Sequence, residues 1–244
     1  MNRADEIDAA IELLEERHFD QHNPWGHPVV GWQPNSEGFG GLHNPRGYAM
    51  VRAVISKLVD GDMSPLYDQP VIIENAGSII IAQENERVGL VQNFRMVGAR
   101  ILNDASANYV SRLQSERKWG ELLSTLGRWN WEAPRGLMPP IDGSEDLESF
   151  VLRTAKLEAL EESGFRIEDA RIAGKVNANP TFFPHAQYVV HGHIASIGDS
   201  NPEDLEVIGD SKLFTMEELK ELNIKGEFDD GLTLAGLAIC GKSL

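Results

Sequence analysis

The chain has 244 residues, 41% of them hydrophobic and 25% charged, which suits a globular protein able to bury a sizeable core. Its formal net charge is −16. Such a surface repels nucleic-acid phosphates and anionic membranes, excluding duplex DNA or RNA as a main partner; small phosphorylated substrates remain reachable through bridging divalent cations. A single cysteine, Cys240, rules out an intramolecular disulfide and fits a reducing compartment; it reads as a small buried hydrophobe. There is no apolar run long enough for a bilayer and no apolar signal core in the acidic N-terminus. The expectation is a cytoplasmic protein with no nucleic-acid and no membrane partner.

In chain order, Ile7, Ala10, Ile11 and Leu14 recur at three- and four-residue spacing, which predicts a helix from Ala4 to Arg17. The stretch "HNPWGHPVVGWQPNSEGFGGLHNPRG" is rich in Gly, Pro, Asn and His and reads as irregular. "YAMVRAVISKLV" reads as a second helix. "SIIIAQ" and "VGLVQNF" are β-rich and flank "ENER", predicting a hairpin. Residues 120–143, with Trp129, Trp131, Pro134, Pro139, Pro140 and Gly143, predict a short strand and a loop. "SEDLESFVLRTAKLEALEESG" predicts a long helix, with Ser144 as N-cap and Gly164 as its stop. "FRIEDARIAGKV" and "AQYVVHGHIAS" read as strands, and "TMEELKEL" and "GLTLAGLAICG" as helices. Strands and helices in this order imply an α/β fold with a mixed sheet.

Within the long helix, Glu158, Glu161 and Glu162 stand at i, i+3 and i+4 and so share a face. Like charges so placed repel. The ordinary reading is a solvated polar face. At about 100° per residue, however, these glutamates continue the direction of Leu147, Val151 and Ala155, with Arg153 and Lys156 on the other side. Carboxylates turned toward a core require hydrogen bonds or a cation, and hard oxygen ligands suit Mg²⁺ or Mn²⁺.

"LEALEESGF" resembles the end of the Nudix hydrolase signature, G-x5-E-x7-R-E-U-x-E-E-x-G-U, at Glu158, Ala159, Glu161, Glu162, Gly164 and Phe165. Leu157 stands where that signature has arginine and Ser149 where it has its first glutamate. "WEAPRG" resembles the family's E-x-P-x-G strand end, with Glu132 and Gly136. Gly136 and Gly143 both offer a match to the signature's first glycine, and Gly136 is the better local one. "NERVGLVQNFR" resembles the hairpin of the ADP-ribose pyrophosphatase branch, with Gln92 and Arg95 at the corresponding positions, and "KGEFDDGLTLAGLAI" resembles its closing helix.

The resemblance implies a Nudix-like α/β/α sandwich with a mixed sheet over residues 69–244. Residues 1–68 would be an N-terminal extension of helix and irregular chain serving a homodimer or a base-binding site. It implies Mg²⁺ or Mn²⁺ held by Glu158, Glu161 and Glu162. Glu162, Glu203 or Glu206 would act on the attacking water, and Arg95, Gln92 and Gly136 would lie against substrate, with Arg95 reading equally as half of a structural ion pair. The implied reaction is hydrolysis of a nucleoside diphosphate linked to another group, such as ADP-ribose or a nucleotide sugar. The alternatives are a non-catalytic Nudix-like module binding a nucleotide or a protein, and a purely structural acidic α/β protein. His191 and His193, alternate residues of one strand, lack a fitting third zinc ligand.

Overall fold

A computed structural model describes residues 7–17, 48–60, 62–74, 76–95, 128–138, 145–183, 185–202, 207–242 and 244. The chain divides into two compact units, one of Met1–Gly77, Leu137–Pro140 and Lys175–Gln187, the other of Ser78–Gly136, Ile141–Gly174 and Tyr188–Leu244.

The first unit carries a three-stranded antiparallel sheet of β1 (Ile7–Arg17), β2 (Tyr48–Val59) and β3 (Asp62–Glu74), in that order. The helices predicted for Ala4–Arg17 and for "YAMVRAVISKLV" are therefore strands. The reason is visible between β2 and β3. Val59 pairs with Asp62, and the two residues joining them read Asp-Gly, the strongest short hairpin signal. Asp60 adopts φ 53°, the left-handed backbone such a turn requires. Pairing along the whole length of β2 overrides helical spacing in β1, where the register slips between Leu13 and Glu15, masking strict alternation. β3 runs continuously through residues 68 and 69, where the sequence reading set the end of the extension. Two bonds tie β3 to residues 181 and 182 of the same unit, Ile72 N to Phe182 O at 2.7 Å and Gln69 Nε2 to Thr181 O at 3.0 Å.

The second unit is built on β4 (Gly77–Glu84), β5 (Arg87–Arg95), β6 (Arg128–Glu132), β7 (Arg135–Leu137), β8 (Phe165–Val176), β9 (Gln187–Ile197) and β10 (Ile208–Phe214). They form one sheet in the order β10-β5-β4-β9-β8, with β6 on β5 and β7 on β4. The α/β class with a large mixed sheet agrees with the expectation. The hairpin of "SIIIAQ" and "VGLVQNF" is β4 and β5, turning at Asn85, which takes φ 54°. Ile79, Ile80, Ile81 and Ala82 are all fully buried, so β4 is covered on both faces and reads as a continuous apolar run.

Among the described residues the helices are α1 (Leu147–Ser163), α2 (Met216–Lys225) and α3 (Gly231–Ile239). α1 is capped by Asp146, not by Ser144, which lies outside the described residues. Asp146 accepts from Ser149 N at 3.0 Å and from Ser149 Oγ at 2.7 Å. Bonding of both groups to the carboxylate holds its pKa below the usual aspartate value. The buried face of α1 comprises Phe150, Val151, Thr154, Ala155, Ala159, Glu162 and Ser163. Leu147 is 48% exposed and does not belong to it. α2 begins with a capping box, Thr215 N donating to Glu218 Oε2 at 2.8 Å and Glu218 N to Thr215 Oγ1 at 3.2 Å, as Thr-x-x-Glu provides. Close approaches set the start of β8 against β5 and α3 against β4. Gly89 leaves room for the Phe165 ring and Gly236 for Ile81.

Gly164 ends α1 at φ 72°, and a Cβ there would lie 2.1 Å from the Gly198 carbonyl oxygen. Gly164→Ala therefore combines left-handed strain with a backbone collision, and it is expected to destabilise the fold by at least about 1–2 kcal/mol. Urea unfolding measures this; a wild-type midpoint would show that the α1 terminus relaxes freely.

Candidate active site

The corner between β6 and β7, Glu132-Ala133-Pro134-Arg135-Gly136, is held from three directions. Pro134 O accepts from Ile80 N on β4 at 3.0 Å. Ala133 N donates to Thr233 Oγ1 on α3 at 2.9 Å. Arg135 N donates to Glu162 Oε2 on α1 at 2.9 Å. Successive residues of one loop thus bind the sheet and both helices.

The side chains of this corner carry the charge. Arg135 Nη1 bonds both oxygens of Asp230, at 3.0 and 2.9 Å, and its Nη2 lies 2.9 Å from Glu132 Oε2. Glu132, 2% exposed, also receives Arg95 through Nε at 3.1 and 3.0 Å and Nη2 at 2.7 Å. Two guanidinium groups therefore clamp one buried carboxylate, the geometry in which arginine is strongest. Burial opposes the charge on Arg135, but Asp230, Glu132 and Glu162 outweigh it, raising its pKa above the ordinary arginine value. Asp230 is also the N-cap of α3, accepting from Thr233 N at 2.8 Å and Thr233 Oγ1 at 2.7 Å. Burial would raise its pKa; Arg135 and the Thr233 bonds bring it below the ordinary 3.8.

The α1 glutamates border this corner. Glu162 is buried at 2% exposure, whereas Glu158 and Glu161 are half-buried. A Cβ on Gly136 would lie 1.7 Å from Glu158 Oε1, so only glycine admits the Glu158 carboxylate where it stands. Gly136 thus packs directly against this helix, while Gly143 lies outside the described residues. Arg153 and Lys156 are exposed on the far side. Leu157 is 44% exposed, and Ser149 serves the helix cap.

The other expected site residues stand as follows. Arg95 is engaged by Glu132, as described. Gln92 sits an odd number of residues away on β5, hence on the opposite face, opposite Trp131 in register and beside Gly209. The structure does not bring Gln92 to the glutamates. Glu203 and Glu206 lie outside the described residues. His191 and His193 stack edge-to-face at 5.5 Å, with His191 Nε2 3.2 Å from Gln83 Oε1. Cys240 is half-buried rather than buried, its thiol pKa raised by burial against the opposing pull of Arg171 and Lys242. Arg135, Asp230 and Thr233 are the members that sequence reading passed over. Their signals were the arginine inside "WEAPRG" and the Asp-x-x-Thr start of the last helix.

No family model matches the chain, and no curated protein matches it. Solved structures similar to it include an ADP compounds hydrolase, 12% identical over 79% of this chain and 84% of that one, with a TM-score of 0.49. A Nudix hydrolase from Nitrosomonas europaea is 12% identical over 68% of this chain and 88% of that one, with a TM-score of 0.43. No described helix is long and apolar enough to cross a membrane.

The depressed pKa of Asp230 sets a pH signature. Its stabilisation is full above the unfolded value and is lost as pH falls through the lower folded value. Asp230→Asn should cost on the order of 3 kcal/mol at neutral pH, and the gap to wild type should close as pH drops below about 3.8. Denaturant midpoints for both proteins between pH 7 and pH 3 measure it; a pH-independent gap would remove the ionic account.

Proposed function

We propose that the chain is a Nudix-type hydrolase that cleaves a nucleoside diphosphate linked to another group, with Glu158, Glu161 and Glu162 as cation ligands. The observation that carries this is the seating of Glu158 against Gly136 while Arg135 N fixes Glu162. The "WEAPRG" corner and "LEALEESG" helix, matched separately to one signature, meet in space as that reading requires.

The donor set fits a hard divalent cation. It is all oxygen, it lies on one helix face, and its members grade from buried Glu162 to half-buried Glu158 and Glu161. Among the described residues, no three His, Cys, Asp or Glu side chains already converge closely enough to hold an ion. When bound, Mg²⁺ or Mn²⁺ neutralises phosphate oxygens and lowers the pKa of a bound water. The glutamates hold it in place, and a carboxylate, with Glu162, Glu203 and Glu206 as the proposed choices, accepts the proton of the attacking water. Products are a nucleoside monophosphate and a phosphorylated remainder. ADP-ribose leads the proposed substrates on the resemblance of "NERVGLVQNFR" to that branch, and the ADP compounds hydrolase is a similar structure.

Incubation with ADP-ribose, nucleotide sugars, NADH and dinucleoside polyphosphates, with and without Mg²⁺ or Mn²⁺, tests the reading. Metal-dependent turnover of at least one is expected. Tight ligand binding without turnover would point to a binding module instead. Glu162→Gln should lose at least about 10-fold in kcat, and full activity in that variant would remove Glu162 from the ligand set.

Gly136→Ala gives a complementary result. The added methyl meets the flexible end of Glu158, which can turn away, so the melting temperature should stay near wild type. Activity should fall at least about 10-fold. Unchanged activity would show that the seat of Glu158 is not used.

A further inference from the structure

We infer that Arg135 is a positioning residue for the cation site, acting through Glu162 and from the start of β7 rather than from α1. This deepens the proposed function and rests on its cation site, with only the activity arm resting on the hydrolase reading.

The argument starts from what holds Glu162. Its Oε2 accepts from the backbone N–H of Arg135 at 2.9 Å. A backbone donor can aim a carboxylate only as well as the backbone itself is fixed. Here the same residue's side chain fixes it. The Arg135 guanidinium is forked onto both oxygens of Asp230 and onto Glu132, which is itself clamped by Arg95. Asp230 is anchored in turn as the N-cap of α3. One residue thus gives Glu162 a directed hydrogen bond from its main chain and a nearby positive charge from its side chain, the latter felt reciprocally in the raised Arg135 pKa. α1 supplies no such cation on this face. Leu157 is exposed, and the helix's Arg153 pairs with Glu145 at 2.9 Å.

Arg135→Lys separates geometry from charge, because lysine retains the charge and loses the planar fork. Mn²⁺ binding by the otherwise metal-free full chain, followed by electron paramagnetic resonance, is the first readout. Arg135→Lys and Arg135→Gln should each weaken Mn²⁺ about 10-fold or more, the usual consequence of losing an outer-shell partner. In turnover they should lower kcat with KM for the nucleotide substrate within about 3-fold of wild type. Arg153→Gln, on the exposed side of α1, should match wild type in both. If Arg135→Gln fails to fold, Asp230→Asn carries the test, since it keeps the Arg135 charge and removes its forked anchor.

Folded variants of lower melting temperature but wild-type Mn²⁺ affinity would overturn the inference and leave Arg135 a purely structural residue. A wild-type chain that binds no Mn²⁺ would overturn it together with the cation site. A wild type that binds Mn²⁺ but hydrolyses none of the compounds would count against the hydrolase reading alone, with the affinity ratio of the variants still deciding the role of Arg135.

Discussion

Three buried or nearly buried carboxylates, Glu132, Glu162 and Asp230, surround one loop corner, and the Arg135 guanidinium and backbone N–H are what make that arrangement tenable. Burying a carboxylate without partners costs far more than the stability of a domain of this size can supply. Removing one partner of a buried pair typically costs about 3–5 kcal/mol, because the other is left uncompensated. The corner therefore cannot take another course without stranding charge. From this follow the start of α3, whose cap is Asp230, and the placement of Glu162. The seat of Glu158 against Gly136 follows too, since Gly136 is the next residue along.

The parts of the fold legible in the sequence are those set by neighbours in the chain. The β4–β5 hairpin announces itself by two β-rich runs around "ENER". The end of α1 is written in Gly164, and the start of α2 in the Thr215–Glu218 box. β1 and β2 were not legible, because their apolar spacing satisfies a helix as well as a bulged strand, and only pairing with a partner decides between them. The Asp-Gly pair after Val59 was the local clue to β2.

The site divides the same way. The glutamate face of α1 could be read from helical geometry, and burial of Glu162 beside Val151 and Ala155 agrees with it. The network that holds the face could not. Arg135 and Asp230 are 95 residues apart and Ala133 and Thr233 are 100 apart, so no spacing rule connects them. Arg95 illustrates the limit from the other side. Its position left a substrate contact and a structural ion pair both open, and the partner it finds is Glu132, across the β5–β6 pairing, which a single strand read alone does not display.

Burial and partners together sort the acidic residues of the site by role. Glu132 and Asp230 have their oxygens taken up by arginine and by the α3 cap, so they are framework, and their charge is spent on holding the corner. Glu158 and Glu161 are half-buried on the same helix and are the more accessible members of the proposed cation site. Glu162 lies between the two classes, fully buried and with one oxygen directed by a main-chain N–H. In the proposed site, a carboxylate so constrained would lose little freedom on binding a cation. On the proposed reading, a cation held by the glutamates would offset the net charge of −16 where a phosphorylated substrate approaches, while Arg95 and Arg135 are engaged by Glu132 and Asp230.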